Sequence, residues 1–89
     1  MHQQSLAIFQ QSGNRPGERK ELNNLGVAYH SLKDYKKAIE FYLQALEIAQ
    51  QIGDRRGEAL ALNNLTRAYY SSGNPKKAME FYQKLLTIN

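Results

Sequence analysis

The chain repeats itself at an offset of forty residues. Glu18 to Tyr42 reads ERKELNNLGVAYHSLKDYKKAIEFY, and Glu58 to Tyr82 reads EALALNNLTRAYYSSGNPKKAMEFY. With that offset, residues 3–49 match residues 43–89 at 24 of 47 positions. A period in this range belongs to helical solenoids, in which each unit leaves an apolar face that only its neighbour covers. Such an architecture acts through the surface it builds, not through a reaction centre.

Within each copy the apolar residues recur at helical spacing. Leu22, Leu25, Ala28, Tyr29 and Leu32 form one stripe, and Leu62, Leu65, Ala68 and Tyr69 repeat it. Between them lies a stripe of Ala38, Ile39, Tyr42, Ala45, Leu46 and Ala49, echoed by Ala78, Met79, Tyr82, Leu85 and Leu86. A shorter segment, Gln3 to Ser12, sets Leu6, Ala7 and Phe9 on one side and is too short to stand alone. The pattern predicts an all-α chain of about five helices, paired antiparallel into a superhelix.

Helix boundaries are also legible. Gly13 to Gly17 breaks the first segment, Asp34 suits an N-cap, and Gly53 stops the helix before it. Asn74-Pro75 supplies a cap followed by proline at the first helical position, where a missing N–H costs nothing. The expected division of the single domain, 1–89, is an incomplete repeat over 1–13, a first repeat over 17–53 and a second over 57–89.

Small residues stand where helices should cross: Gly26, Ala28, Ala38, Ala45, Ala68 and Ala78. Glycine inside a helix costs roughly 1 kcal/mol against alanine, so Gly26 implies a close backbone approach. Tyr29, Tyr42, Tyr69 and Tyr82 read as wedges that fill the crossings and carry a hydroxyl to the rim.

With Leu22, Leu25-Gly26, Tyr29, Ala38, Tyr42 and Ala45, and again Leu62, Leu65, Tyr69, Ala78 and Tyr82, the chain resembles the tetratricopeptide repeat family. The forty-residue period, with Gly13-Asn14…Glu18 and Gly53-Asp54…Glu58 in the linkers, is similar to the long-helix form in spindle-orientation adaptors and kinesin light chains. That resemblance implies a TPR-like α-solenoid whose first helices line a concave groove. It also implies a protein-interaction module, part of a larger scaffold or adaptor. Thr66 in place of Gly26, and Leu85 in place of Ala45, depart from the first copy by adding bulk at a crossing.

Composition narrows the function classes. With no cysteine there are no disulfides or thiolate metal sites, and no apolar run reaches eighteen residues, so a cytoplasmic protein without a membrane span is expected. His2 and His30 are the only histidines and form no ligand cluster; the serines have no paired base, and the glycines mark linkers. No catalysis, metal or cofactor is therefore expected. The net charge of +4 is scattered in small clusters such as Lys36-Lys37 and Lys76-Lys77, without the basic-and-aromatic interleaving of a nucleic-acid surface.

On the groove-lining helices the positions between the stripes are Lys20, Asn23, Asn24, Val27, His30 and Ser31, then Leu60, Asn63, Asn64, Arg67, Tyr70 and Ser71, mostly polar with Val27 and Leu60 apolar. From these, Lys20, Asn23, Val27, His30, Leu60, Asn63, Arg67 and Tyr70 are read as the peptide-binding set. Asn23 and Asn63, one repeat apart, suit a clamp on an extended peptide backbone, as asparagines at the matching position do in peptide-binding relatives of the family. The competing assignment has one asparagine of each adjacent pair bridging between helices. Arg67 offers a fork for a carboxylate and Lys20 favours an acidic ligand. The alternative function is a self-associating structural segment, a homodimer joined end to end or by helix exchange. Leu6, Phe9, Leu85, Leu86 and Ile88 would form its contact.

Overall fold

The computed structural model describes residues 14–88 as four α-helices and no strands. They are α1 (Arg15–Ser31), α2 (Tyr35–Ile52), α3 (Arg55–Ser71) and α4 (Pro75–Leu86). The helix expected over Gln3 to Ser12 lies outside the described residues, as do Leu6 and Phe9. Each helix packs antiparallel on the next, with a lighter contact between α1 and α3. The result is a slab of 37 × 32 × 12 Å, little thicker than one helix.

Capping residues set the period. Asn14, Asp34, Asp54 and Asn74 each precede a helix, and each side-chain oxygen accepts from the backbone N–H three residues on, at 3.1, 3.3, 2.9 and 3.2 Å. The N-caps thus recur every twenty residues, one per helix. Each also closes the helix before it where one is described. Asp34, Asp54 and Asn74 donate their own N–H, at 2.9 Å, to the carbonyls of Tyr29, Ala49 and Tyr69. One residue therefore ends one helix and starts the next, which keeps the turns short.

The turn requires a left-handed residue just before each cap. Gly53 and Gly73 take it with φ of 69° and 86°, but in the first turn Lys33 does, with φ of 63°. A side chain there is strained, which glycine avoids.

The main core gathers Ala38, Tyr42 and Leu46 of α2, Ala61, Leu62, Leu65 and Ala68 of α3, and Phe81 of α4. Leu22, Ala45 and Ile48 form a second cluster between α1 and α2. Two stacked ring pairs mark the repeat: Tyr29 on Phe41 at 5.5 Å, and Tyr69 on Phe81 at 5.3 Å. Phe41 and Phe81, adjacent to the tyrosines in each FY pair, are thus the inward residues that the apolar stripes left out.

Several stripe residues are more open than their spacing implies. Ala28 is exposed whereas its counterpart Ala68 is fully buried, because α2 covers α3 while no described helix covers the equivalent side of α1. Leu32 is 74% exposed, since it falls in the turn beyond the last helical residue. Met79, Tyr82 and Leu86 are exposed on α4, which has a neighbour on one side only among the described residues.

Replacing Lys33 with glycine should raise unfolding stability by about 0.5–1 kcal/mol by removing the left-handed strain. Gly73→Lys should lower it by a similar amount. Urea unfolding followed by helical circular dichroism measures both, and equal stability of Lys33→Gly and wild type would contradict the strain.

Candidate functional site

Helices α1 and α3 are the first members of the two pairs and run parallel on one side of the slab. A part-buried hydrogen bond fastens them: Asn64 Nδ2 donates to Asn23 Oδ1 at 2.7 Å. Asn64 is only 8% exposed, so its amide would be costly to leave unpaired. Toward the N-termini of the same helices Arg19 Nε sits 2.9 Å from Asp54 Oδ2, an ion pair off the in-line direction of a hydrogen bond. Asp54 meanwhile caps α3 through Gly57, where an added Cβ would fall 2.6 Å from Arg19 Cδ. The missing side chain at Gly57 gives the arginine its passage.

Between α1 and α3 opens a cleft of about 150 Å³, lined by Val27, His30 and Ser31 of α1, Asn64 and Arg67 of α3, and Tyr42 of α2. The tyrosine reaches it from behind. Its ring passes over Gly26, where any Cβ would overlap it, standing 2.5 Å from Cδ1. Tyr42 is 1% exposed and among the largest fully buried side chains. Burial raises its phenol above the usual tyrosine range, while the Arg67 guanidinium pulls the other way. The hydroxyl is accordingly protonated at neutral pH and available as a donor.

The expected binding residues divide into three groups. Val27, His30 and Arg67 meet at the cleft. Asn23 is engaged by Asn64, so in this pair an asparagine bridges between helices. Lys20, Leu60, Asn63 and Tyr70 are exposed outside the cleft, Tyr70 at 71%. Tyr42 was placed in the core by its spacing, and its part in the cleft escapes a stripe argument. The available signal was Gly26, which announces a close approach without saying what approaches. Of the self-association set, Leu85 and Ile88 are half-buried against the main core, and Leu86 is exposed.

Chemically the cleft presents donors. Arg67, the Tyr42 hydroxyl, Ser31 and the amide of Asn64 surround a space with one apolar wall, Val27. His30 stands edge-on to Tyr35 with ring centroids 5.3 Å apart. Among the described residues no group of three His, Cys, Asp or Glu is placed to hold a metal ion, and no described helix is long and apolar enough to cross a membrane.

A family model described as tetratricopeptide repeat matches residues 1–51 and again residues 20–89. No curated protein matches the chain. Repeats of that family generally mediate protein–protein interaction.

Two outcomes follow from the geometry. Asn64→Ala should cost about 1–3 kcal/mol of stability, read by urea unfolding, because the cross-helix bond is lost from a buried site. The raised Tyr42 phenol fixes the sign of an alkaline effect. Well below pH 10 both folded and unfolded states keep the proton; as pH rises through about 10 the unfolded chain releases it first, and stability falls until the folded phenol ionises as well. Tyr42→Phe should flatten the fall of stability between about pH 9.5 and 11, and an unchanged slope would contradict the assignment.

Proposed function

We propose that this chain, which belongs to the tetratricopeptide repeat family, holds an extended segment of a partner protein along the face shared by α1 and α3. The observation that carries this reading is the cleft where Val27, His30, Ser31, Tyr42, Asn64 and Arg67 converge. Protein backbone offers carbonyl acceptors at regular spacing, and the cleft supplies donors on fixed helices with an apolar wall beside them. Exposed Lys20, Leu60, Asn63 and Tyr70 extend the same face beyond the cleft and give the segment further contacts.

The forty-residue period supports a place within the long-helix form of the family, and with it a role as one section of a scaffold or adaptor. Residues 17–53 and 57–89 are then its two units, and residues 1–13 part of another.

A second reading has its own observation. Met79, Tyr82 and Leu86 leave an apolar strip open on α4, as an α-solenoid does at a face that another unit covers. On this reading the chain is a structural segment that self-associates, with no peptide in the cleft.

The double variant Arg67→Ala, Asn63→Ala separates the two. Both side chains are exposed, so helicity should be unchanged. Capture of peptides selected from a random-sequence library should fall at least tenfold, a loss of about 1.4 kcal/mol. Undiminished capture would refute the groove, and a sedimentation mass of one chain at micromolar concentration would refute self-association.

A further inference from the structure

Two turns, 31–35 and 71–75, lie at one edge of the slab, where α1 and α3 end and α2 and α4 begin. Five lysines gather there, Lys33, Lys36, Lys37, Lys76 and Lys77, against three acids, Asp34, Glu40 and Glu80. All five are exposed. Clusters that stand forty residues apart along the chain are thus brought to one side. Of the acids, Asp34 uses its carboxylate to cap α2, and Glu80 approaches Lys77 only at 3.9 Å. Lys37 lies over the Tyr29 ring, 5.2 Å from its centroid, a contact that leaves its charge uncompensated.

Two features of these lysines work against the stability of the fold. The first turns of α1 and α3 hold the acids Glu18 and Glu58, which suit the positive end of a helix dipole. Those of α2 and α4 hold no acid and carry Lys36-Lys37 and Lys76-Lys77 instead, where a cation is disfavoured. Lys33 takes the left-handed turn position that glycine fills at Gly73. Both copies keep the lysine pair, and the first adds a strained lysine beside it. Charge held against local preference calls for a use at the surface.

The same edge bears the greatest apolar exposure. Leu32, in the turn between α1 and α2, is 74% exposed, and Tyr70, in the last turn of α3, is 71% exposed. Among the described residues no other large hydrophobic side chain is as open. A further solenoid unit would stack beyond α4, along the row of helices, and would leave this edge uncovered. Nucleic acid is a poor match. Its bases need open ring faces to stack on, but Tyr29 is stacked on Phe41 and Tyr35 stands edge-on to His30. A leucine set among lysines matches a lipid surface instead. Its side chain can enter the hydrocarbon boundary while the ammonium groups meet anionic headgroups.

We infer that this edge docks on an anionic lipid bilayer, with Leu32 inserted at the headgroup boundary and the five lysines against the acidic headgroups. Neither part suffices alone. One leucine buries little apolar surface, and the attraction of exposed lysines fades within a Debye length. Together they give a reversible attachment that requires no spanning helix. The inference does not depend on the groove, because neither Leu32 nor any of these lysines lines the cleft. Tyr70 borders both the edge and the face shared by α1 and α3, so the test leaves it in place.

The test is co-sedimentation of the whole chain with vesicles of phosphatidylcholine, alone or with about one third phosphatidylserine. At low salt, partition onto the acidic vesicles should exceed partition onto the neutral ones about tenfold or more. Most of that difference should be lost at about 0.5 M salt. Leu32→Ser should weaken the binding about fivefold with helicity unchanged, since the side chain is exposed in the free chain. The pair Lys36→Gln, Lys76→Gln should weaken it about tenfold, whereas Arg56→Gln, on the opposite edge, should leave it nearly unchanged. Lys33→Gly discriminates most sharply, because it should make the chain more stable and yet bind vesicles several-fold less. Peptide capture should be the same in Leu32→Ser as in wild type, so the groove and this edge stand or fall separately. Equal partition onto both kinds of vesicle, partition onto neither, or binding indifferent to Leu32→Ser overturns the inference. Lysine-dependent binding to single-stranded RNA without binding to vesicles overturns it as well.

Discussion

The structure depends on a missing side chain at position 26. Gly26 lets α1 come so near α2 that the Tyr42 ring lies across the glycine backbone. From there the ring is enclosed by Ala61, Leu62 and Leu65 of α3, so one residue joins three helices. Tyr42 also lines the cleft, with its phenol within the field of Arg67. The packing that ties one repeat to the next also builds the site. Any group added at position 26 would collide with this buried ring and force it to shift, an overpacking of the kind that costs about 1–3 kcal/mol.

The second copy provides an internal control. Thr66 stands where Gly26 does, and its hydroxyl donates to the Leu62 carbonyl at 2.8 Å. Tyr82, the counterpart of Tyr42, is 44% exposed. Two causes act together: the threonine occupies the crossing, and no described helix lies beyond α4. The cleft floored by Tyr42 therefore belongs to the first crossing. Rigidity around it comes from short, shared caps and from the Arg19–Asp54 pair, each worth about 1 kcal/mol or less alone but placed at successive helix ends. A face built on such elements is held in place in the free chain, as the proposed binding role requires.

Much of this was open to sequence reasoning, for definite reasons. Period, helix number over the described residues and the caps at Asp34 and Asn74 follow from spacing and from residue types with a single mechanical role. Stripes are less informative about neighbours. They placed Ala28, Leu32, Met79 and Tyr82 inward because the spacing of a helix identifies a face but not whether another helix covers it. They also passed over Phe41 and Phe81, since in each FY pair both rings have an inward component and spacing alone selects only one. At the cleft, Val27, His30 and Arg67 could be grouped from matched positions on α1 and α3. Tyr42 could not, because its route from the back of the slab depends on the backbone separation at Gly26. Nor does sequence say which asparagine of the Asn63–Asn64 pair turns toward α1.

The central claim, that the open crossing at Gly26 seats Tyr42 and thereby forms the cleft, is tested most directly by a crystal structure of Gly26→Thr, which gives the first copy the residue of the second. The account predicts that the Tyr42 ring leaves its place between α1 and α3 and that the space bounded by Val27, His30, Asn64 and Arg67 loses its floor. A Tyr42 ring still buried over position 26, with the cleft unaltered, would contradict it.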